Sequence, residues 1–245
     1  MKIPSSHPRA RSLRLREKIV SGVEMGITSV AGLIAQGRGE AFDYLLGEKT
    51  HPFAKKAIRA AAGLLVTARH PVISVNGNVA ALAGKQLSQI SNRFKIPLEV
   101  NLFHYSRERE KKIVRYLKKC GAKTVLCRGA MNGPPTLKGL HHARKYMHPD
   151  GIAKADVVFI PLEDGDRCQA LRKAGKKVIA VDLNPLSRTA RTAHLTIVDE
   201  LTRVLEGLSR VLKRGAMNDA PTLKKYNNKS ILKQAEKRIR RGQLF

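Results

Sequence analysis

The stretch ADVVFIPLEDGDRCQALRKAGKKVIAVDLNP, residues 155–185, contains two short apolar runs with an amphipathic segment between them. The runs are Val157 to Leu162 and Val178 to Val181. Short uninterrupted apolar runs are typical of strands that are buried on both faces, and a helix between two such strands is typical of a parallel βαβ unit. This stretch therefore predicts one crossover of a parallel sheet that is covered by helices.

The same alternation continues on both sides of this stretch. Further strands are predicted at Val72 to Val75, Leu98 to Leu102, Thr124 to Cys127 and Leu195 to Val198. The helices between them are predicted at Val79 to Phe94, Arg107 to Lys119, Arg167 to Ala174 and Leu201 to Leu212, while residues 128–150 are less regular. The pattern predicts an α/β fold with a doubly wound, mostly parallel, Rossmann-like sheet.

The N-terminal third predicts helices and no strand. One helix is expected to begin near Pro8 and to end at Gly26, because apolar residues recur at helical spacing at Leu15, Ile19 and Val23. Gly37-Arg38-Gly39 is expected to separate the next two pieces, and an Ala-rich helix follows: Thr28 to Ala35, Glu40 to Leu46 and Ala54 to Ala68. We therefore expect a helical segment at 1–70 packed on an α/β core at 71–213, and a basic tail at 214–245 that ends in a helix.

The net charge favours polyanionic partners. The 245 residues carry a formal charge of +28, with 47 Lys and Arg against 19 Asp and Glu. Such an excess points to nucleic acid, an anionic membrane surface or phosphorylated small molecules, and ion-pair networks explain it poorly because most of the cations find no partner. The basic tail is expected to be dispensable for chemistry and to increase nonspecific binding of DNA.

Composition also limits the cellular setting. No stretch is apolar for long enough to form a signal-peptide core or a membrane span. The three cysteines, Cys120, Cys127 and Cys168, show no CxxC pair and no zinc-ligand spacing, which fits ordinary thiols in a reducing compartment. With 42% hydrophobic residues the chain can build an ordered core, and we expect a cytoplasmic protein.

One segment of the sequence is duplicated. RGAMNGPPTLK at Arg128 to Lys138 recurs as RGAMNDAPTLK at Arg214 to Lys224. The first copy follows a predicted strand and the second opens the basic tail, so the two copies are not expected to share a structural environment. We interpret them as a local duplication and not as a paired site.

Ligands bind outside the carboxyl ends of the strands in open α/β sheets, so the residues that follow each strand are the candidates for a site. Asn76-Gly77-Asn78 follows the first strand, where it forms either an anion site at the start of a helix or only a turn and a cap. Asn101 and His104 follow the second strand, and His104 is as readily structural as functional.

Three carboxylates in four residues, Glu163, Asp164 and Asp166, follow the strand that ends at Leu162. Part of this set is expected to cap the next helix. A triple carboxylate nevertheless repels itself, and it becomes favourable beside Mg²⁺ or an ammonium group.

Polar residues also close the last two strands: Asp182-Leu183-Asn184, Ser187-Arg188-Thr189 and Asp199-Glu200. A carboxylate at a strand end can accept hydrogen bonds from ribose hydroxyls, and an arginine between hydroxyls suits phosphate. These residues predict a nucleotide pocket in the core, with Asx turns as the structural alternative. Neither a P-loop nor a G-x-G-x-x-G fingerprint is present, but Arg38 lies between two glycines that would let it approach phosphates closely.

Several long segments resemble the archaeal 4-phosphopantoate-beta-alanine ligases, or phosphopantothenate synthetases: SHPRARSLRLREKIVSGVEMGITSVAGLIAQGRGEAFDYLLGEKT, PVISVNGNVAAL, EVNLFHYSREREK, ADVVFIPLEDGDR and VIAVDLNPLSRTARTAHLTIVDE. The resemblance implies an ATP-dependent, AMP-forming ligase that joins 4-phosphopantoate to beta-alanine through an acyl-adenylate, in coenzyme A biosynthesis. It also implies a homodimer. Gln36 replaces a histidine that is usual in the family, and Glu200 replaces a common asparagine.

The resemblance also implies roles for individual residues. The expected ATP contacts are Arg16, Arg38, Asp182, Leu183, Asn184, Arg188, Thr189, Asp199 and Glu200. The expected catalytic residues are Arg38, Asp164 and Asp166, of which the two aspartates would face Mg²⁺ or the ammonium group of beta-alanine. The expected contacts of phosphopantoate are Asn76, Asn78, Asn101 and His104.

Two other functions are weaker alternatives. A basic α/β nucleic-acid-binding protein would explain the charge, but 4% aromatic residues with no Trp offer few platforms for stacking bases. A dinucleotide-binding enzyme is disfavoured because its glycine fingerprint is missing. We therefore expect small-molecule partners, no membrane partner and only nonspecific contact with nucleic acid.

Overall fold

The computed structural model describes residues 3–7, 9–129, 131–215 and 223–242. The helices are α1 Ala10–Glu24, α2 Val30–Leu46, α3 Pro52–Thr67, α4 Gly77–Phe94, α5 Arg107–Lys119, α6 Gly165–Lys173, α7 Arg188–Thr192, α8 Leu201–Lys213 and α9 Asn228–Arg241. The strands are β1 Pro71–Val75, β2 Leu98–Val100, β3 Val125–Leu126, β4 Val157–Pro161, β5 Lys177–Val181 and β6 Leu195–Ile197. Short 3₁₀ and π turns occur at Ala143–Lys145 and Pro149–Ala153.

The six strands form one parallel sheet in the order β3-β2-β1-β4-β5-β6. The chain moves outward from β1 through β2 to β3 and then returns to place β4 on the other side of β1. Connections therefore leave β1 and β4 in opposite directions, which opens a crevice at their carboxyl ends. The sheet confirms the predicted doubly wound fold, and all six predicted strands are present.

Side chains of the central strands alternate between two hydrophobic clusters. Val157 and Phe159 of β4 face a large cluster that also takes in buried residues of α3, α4, α5, α8 and α9. Val158 and Ile160 face a second cluster, which contains buried residues of α6 and of the 137–155 region. Both faces of the sheet are thus buried, which explains why its strands read as uninterrupted apolar runs.

The prediction that Gly37-Arg38-Gly39 breaks a helix was wrong. A single helix, α2, runs from a cap at Ser29, whose side chain accepts a hydrogen bond from the Gly32 amide at 3.2 Å, to Gly47 in the left-handed conformation. Each glycine costs roughly 1 kcal/mol of helix propensity relative to alanine, an amount that tertiary packing readily outweighs. The helix therefore passes uninterrupted over the sheet.

The other N-terminal helices follow the prediction more closely. In α1 the side chains of Leu15 and Ile19 are buried, and Gly26 follows the helix with a φ of 66°. Pro8, the expected start, lies outside the described residues. Buried residues of α1 and α3 belong to the same cluster as the sheet, which is consistent with a helical segment at 1–70 packed on a core at 71–213. That division remains a prediction.

The first copy of the duplicated sequence begins an irregular segment that a buried carboxylate anchors. The carboxylate of Glu110, 2% exposed, accepts hydrogen bonds from the amides of Arg128 at 2.9 Å and Gly129 at 2.8 Å. The guanidinium of Arg128 lies 4.7 Å from the ring centroid of Tyr105 and 3.8 Å from that of Tyr146. In the second copy Arg214 is exposed at the end of α8 and residues 216–222 lie outside the described residues, so the copies differ where both are visible.

A second buried carboxylate anchors the other end of this segment. Glu99 on β2 is 1% exposed and accepts hydrogen bonds from the amides of Ile152 at 2.6 Å and His148 at 3.1 Å. Burial raises the pKa of Glu99 to about 7. A Cβ at Gly151 would lie 2.0 Å from a Glu99 carboxylate oxygen, so only glycine lets the chain pass.

The predicted final helix is present and is anchored to the sheet. Ile231, Leu232 and Ala235 of α9 are buried in the main cluster. The hydroxyl of Tyr226, just before α9, donates to the carbonyl of Thr196 in β6 at 3.0 Å and accepts from its amide at 3.1 Å. Although basic on its outer face, the tail thus contributes to the core.

No helix in the described part of the chain is long and apolar enough to cross a membrane.

The contacts of α9 predict that the tail contributes to stability. Ile231→Ala should lower the free energy of unfolding by roughly 2 to 5 kcal/mol, because it leaves a cavity in a buried cluster. Chemical denaturation monitored by circular dichroism would measure the change. The matched control is Lys233→Ala, an exposed position on the same helix, which should alter stability by less than about 0.5 kcal/mol. Equal stabilities of the two variants would contradict a structural role for α9.

Candidate functional site

A cavity of about 650 Å³ opens at the carboxyl edge of the sheet, over the ends of β2, β1, β4 and β5. This volume lies within the range that is typical of sites for small molecules. We call it the switch-point cavity. Most of the residues that the sequence predicted for a site line it: Arg38, Asn76, Asn78, His104, Asp164, Asp182, Leu183, Asn184, Arg188, Thr189 and Glu200. The predicted residues outside its lining are Arg16, Asn101, Asp166 and Asp199.

The ends of β1 and β4 are joined directly at the floor of this cavity. The side-chain amide of Asn76 donates to the carbonyl of Leu162 at 2.9 Å, and its oxygen accepts from the Val79 amide at 3.1 Å as the cap of α4. Leu162 has a φ of 53°, which is unusual for a residue other than glycine. Strained backbone of this kind persists where surrounding contacts hold it, and it is common at ligand sites.

Helix α4 begins at the cavity with Gly77, which cannot be replaced by a larger residue unless neighbouring atoms move. A Cβ at Gly77 would lie 2.3 Å from the carbonyl oxygen of Ile27 and 2.7 Å from Nη2 of Arg109. The amide N–H groups in the first turn of a helix have no carbonyl partner within that helix, so this position favours an anion. The side chain of Asn78, by contrast, is occupied: it donates to the carbonyl of Gly32 at 2.7 Å and accepts from the hydroxyl of Thr28.

Helix α2 forms the roof of the cavity. A Cβ at Gly32 would collide with the side chain of Asn78, at the β1 end, and a Cβ at Gly39 would lie 3.7 Å from Cδ1 of Leu183, at the β5 end. The seven residues from 32 to 39 rise about 10 Å along a helix, which matches two strand spacings of about 4.8 Å. Arg38 is therefore held over the β5 end of the site.

The end of β5 is closed by an Asx turn. The Asn184 amide donates to the carboxylate of Asp182 at 2.9 Å, and the hydroxyl of Ser187 donates to the other carboxylate oxygen. Burial raises the pKa of Asp182. The structural alternative considered for this sequence is thus realised, yet Asp182, Leu183 and Asn184 all line the cavity.

Arg188 and Thr189 begin α7 beside this turn. The guanidinium of Arg188 is exposed, and it contacts the carboxylate of Asp166 and donates to Oε1 of Gln169 at 2.6 Å. The hydroxyl of Thr189 donates to the backbone carbonyl of Glu163 at 2.7 Å. The exposed ion pair with Asp166 thus holds Arg188 at the rim of the cavity, while Asp166 itself lies outside the cavity lining.

A buried ionic cluster follows β4. Glu163 is bound by the guanidinium groups of both Arg144 and Arg167, and Arg167 also donates to the hydroxyl of Ser74 at 2.8 Å. Arg144 further donates to the carboxylate of Asp164 at 2.7 Å. Burial lowers the pKa values of Arg144 and Arg167 to about 10. Glu163, Asp164 and Arg144 all line the cavity, and the two guanidinium groups bound to Glu163 give that carboxylate a structural role.

Asp199 and Glu200, two expected ATP contacts, make structural bonds at the end of β6. Asp199 accepts from Nε of Arg203 at 2.7 Å, and Arg203 also binds Asp43 of α2. Glu200 caps α8, because its carboxylate accepts from the amide of Thr202 at 2.7 Å. Asp199 is outside the cavity lining, while Glu200 borders it.

Arg16 and Arg38, which were expected to bind the triphosphate of ATP, differ in their surroundings. Arg16 on α1 lies outside the cavity lining, where it donates to Glu40 at 2.8 Å and to the hydroxyl of Tyr44 at 2.9 Å. Hydrogen bonding to Glu40 raises the pKa of Arg16. Arg38 lines the cavity and makes no hydrogen bond or ion pair within the described residues. Arg38 is thus a free cation above the site.

The two expected contacts after β2 also separate. The side-chain amide of Asn101 donates to the carbonyl of Tyr146 at 3.0 Å, and its buried oxygen has no partner among the described residues. It lies behind the cavity lining. His104 lines the cavity beside Phe103, and its carbonyl accepts from Nη1 of Arg109 at 3.1 Å.

The carboxylates do not form a ready-made metal site. The described residues contain no group of three His, Cys, Asp or Glu side chains that could hold a metal ion. Asp164 and Asp166, the expected Mg²⁺ ligands, contact different arginines, Arg144 and Arg188. Only Asp164 lines the cavity, so this pair does not fit a shared Mg²⁺ site.

Several lining residues were missed at the sequence level, chiefly Arg109, Arg144, Phe103 and Gln36. Arg109 lies on an amphipathic helix, where one arginine among many basic residues carries no distinguishing signal. Arg144 belongs to the irregular segment between β3 and β4, whose path depends on the buried carboxylates that anchor it. No local pattern marks either residue.

Comparison with known proteins supports a single family. The family model described as phosphopantothenate/pantothenate synthetase matches residues 53–242. The chain is 48% identical over 237 residues to the 4-phosphopantoate-beta-alanine ligase of Methanosarcina mazei, covering 95% of this chain and 92% of that protein. It is 52% identical over 208 residues to the ligase of the same name from Methanospirillum hungatei, covering 85% and 84% of the two chains. The chain therefore belongs to the phosphopantothenate/pantothenate synthetase family.

Proposed function

We propose that this protein joins 4-phosphopantoate to beta-alanine to form 4'-phosphopantothenate, in coenzyme A biosynthesis, with ATP converted to AMP and diphosphate. The names of the relatives supply the two organic substrates. The observation that carries the proposal is the switch-point cavity, which extends across the ends of β2, β1, β4 and β5. Over its β5 end lies Arg38, which has no partner among the described residues. A cytoplasmic location stays part of the proposal.

The length of the cavity supports two substrates side by side. Three strand spacings separate the ends of β2 and β5, a distance of about 14 Å. The β5 end offers polar groups for a nucleotide: Asp182 and Asn184 for ribose hydroxyls, with Arg38 and Arg188 for phosphates. The β1 and β2 ends then remain for the acid, whose carboxylate must meet the α-phosphate near the middle.

The proposed reaction has two steps. A carboxylate oxygen of phosphopantoate attacks the α-phosphorus of ATP, and the bond to the β-phosphate oxygen breaks to release diphosphate. The amine of beta-alanine then attacks the acyl carbon, AMP leaves and the nitrogen loses a proton. Arg38 is suited to the first step, because a guanidinium at the cavity can hold the charge that develops on the phosphates.

The proposal includes Mg²⁺ as a cofactor that a cavity carboxylate would help to hold. Mg²⁺ is commonly held by one or two carboxylates together with substrate phosphates. Of the two aspartates that were expected to hold it, Asp164 lines the cavity, and its side chain is 44% exposed. The same charge would suit the ammonium group of beta-alanine.

Product analysis tests the reaction. With ATP, beta-alanine and 4-phosphopantoate labelled with ¹⁸O in its carboxylate, we expect label in AMP, because the attacking oxygen belongs to the acid. Mass spectrometry of the nucleotide products would measure it. AMP should not form when the acid is omitted. Formation of ADP, or of unlabelled AMP, would overturn the adenylate mechanism.

Arg38→Lys tests the phosphate role of that residue. Lysine keeps the charge but loses the planar fork, so we expect kcat/KM for ATP to fall by the equivalent of about 1.5 to 3 kcal/mol, the scale of a charged hydrogen bond. Steady-state kinetics would measure this loss. Arg59→Lys, at an exposed position on α3, is the matched control. Unchanged kinetics in Arg38→Lys would remove Arg38 from the site.

We also propose that the protein is a homodimer that pairs through α2. This apolar helix buries only Asp43 and Leu46. Its side opposite the cavity carries exposed apolar side chains, including Val30 at 65%, Ile34 at 63% and Leu45 at 46%. Exposed apolar patches mark interaction surfaces, and a two-fold contact between identical patches is the commonest arrangement in soluble oligomers.

Ile34→Glu tests this interface. It would place a charge in the centre of the proposed contact, so the mass measured by light scattering after gel filtration should fall from that of a dimer to that of a monomer. Leu186→Glu alters another exposed leucine, 52% exposed and outside α2, and should remain dimeric. A monomeric wild type, or a dimeric Ile34→Glu variant, would contradict pairing through α2.

A further inference from the structure

Arg109 lines the β2 end of the cavity as a fixed and uncompensated cation. Its Nε donates to the carbonyl of Ile27 at 3.1 Å and its Nη1 to the carbonyl of His104 at 3.1 Å, so two neutral groups hold the guanidinium in place. No carboxylate pairs with it within the described residues. Its Nη2 lies at the start of α4, where only a glycine at position 77 leaves it space. Burial lowers the pKa of Arg109, which indicates that part of its hydration has been lost without an anion in return.

Arg144 brings a second guanidinium to the same end. It is 5% exposed and lines the cavity, and its Nε is buried without a partner among the described residues. Besides burial, the positive charges of Arg167 and Arg109 lower its pKa, while Asp164 opposes them. Arg109 and Arg144 thus both border the cavity, and an anion bound at this end would meet two guanidinium groups.

Other buried polar atoms near this end also lack partners. Within the described residues these include the side-chain oxygen of Asn101 and both ring nitrogens of His142, whose ring lies 5.0 Å from that of Phe103. Buried polar groups are rarely left unpaired, so these atoms indicate ordered water behind the β2 end. The preference of this end for an anion comes from Arg109 and Arg144, which line the cavity itself.

We propose that Arg109 and Arg144 form the subsite for the phosphate of the acid substrate, and that Arg109 sets the preference for the phosphorylated acid over the free acid. This inference rests on the proposed function for the identity of the acid. With the nucleotide at the β5 end, the acid carboxylate faces the middle of the cavity. Its phosphate then points away from ATP, to the β2 end. A guanidinium matches two phosphate oxygens with parallel N–H groups, and the start of α4 adds backbone donors.

Calorimetric titration without ATP tests the subsite. The wild type should bind 4-phosphopantoate at least about 10-fold more tightly than pantoate. Arg109→Gln should weaken binding of the phosphorylated acid roughly 10- to 100-fold, as expected for the loss of a hydrogen bond to a charged group, and so reduce the preference towards one. Arg109→Lys should recover part of it. Arg115→Gln, at an exposed position on the same helix, should keep the full preference.

Two further measurements separate recognition from structure. A phosphate subsite predicts that KM for ATP and the melting temperature of Arg109→Gln stay close to those of the wild type. Equal weakening for both acids and ATP, together with a lower melting temperature, would show a structural role and overturn the inference. So would an unchanged preference in Arg109→Gln, or a wild type that binds neither acid. A wild type with the expected preference that forms no amide would instead overturn the proposed function and leave the subsite in place.

Discussion

The hydrogen bond from the Asn76 amide to the Leu162 carbonyl, 2.9 Å long, links β1 to β4 where their connections diverge. The ladder hydrogen bonds of the sheet end with the last register of the two strands, so side chains must join the strand ends beyond it. The same asparagine caps α4, and the left-handed turn at Leu162 directs the chain towards Glu163 and Asp164. Asn76 thus joins the two strand ends at the floor of the cavity, and Arg167, which binds both Ser74 and Glu163, supports the same junction.

Helix α2 is constrained from both sides, which explains its unusual composition. Its inner face must clear Asn78, and only glycine at position 32 provides that clearance, whereas a Cβ at Gly39 would make an ordinary contact with Leu183. Its outer face carries apolar residues that the described chain leaves exposed. A helix with so little buried surface of its own gains stability from what binds on either side. Binding of substrate in the cavity and formation of the proposed dimer would both stabilise α2, the helix that carries Arg38.

The charged groups that line the cavity differ from those on the surface in how their charge is compensated. Most of the basic excess lies on exposed faces, such as those of α5 and α9, where solvent screens it. Inside the cavity, carboxylates neutralise Arg144 and Arg188 in part, whereas Arg38 and Arg109 have no carboxylate partner in the described chain. Arg109 is partly buried, and a partly buried guanidinium group without a partner is costly unless an anion joins it. Two substrates that both carry phosphate meet this requirement, and nonspecific binding of nucleic acid by the outer surface stays a prediction.

The sequence by itself determined the sheet and most of the cavity rim. Its apolar runs located six strands, and the polar residues after them placed Asp182, Asn184 and Arg188 at one edge, since parallel strands end together. The sequence-based prediction for α2 was wrong, because helix propensity counts the local cost of each glycine and does not include the tertiary contacts of the helix. Only the tertiary structure decided which of the predicted side chains are available to a ligand and which are held in structural bonds. Asp199 and Glu200 satisfy structural bonds, while Arg109 and Arg144 reach the cavity because the carbonyl of Ile27 and the buried carboxylate of Glu163, both distant in sequence, hold them there.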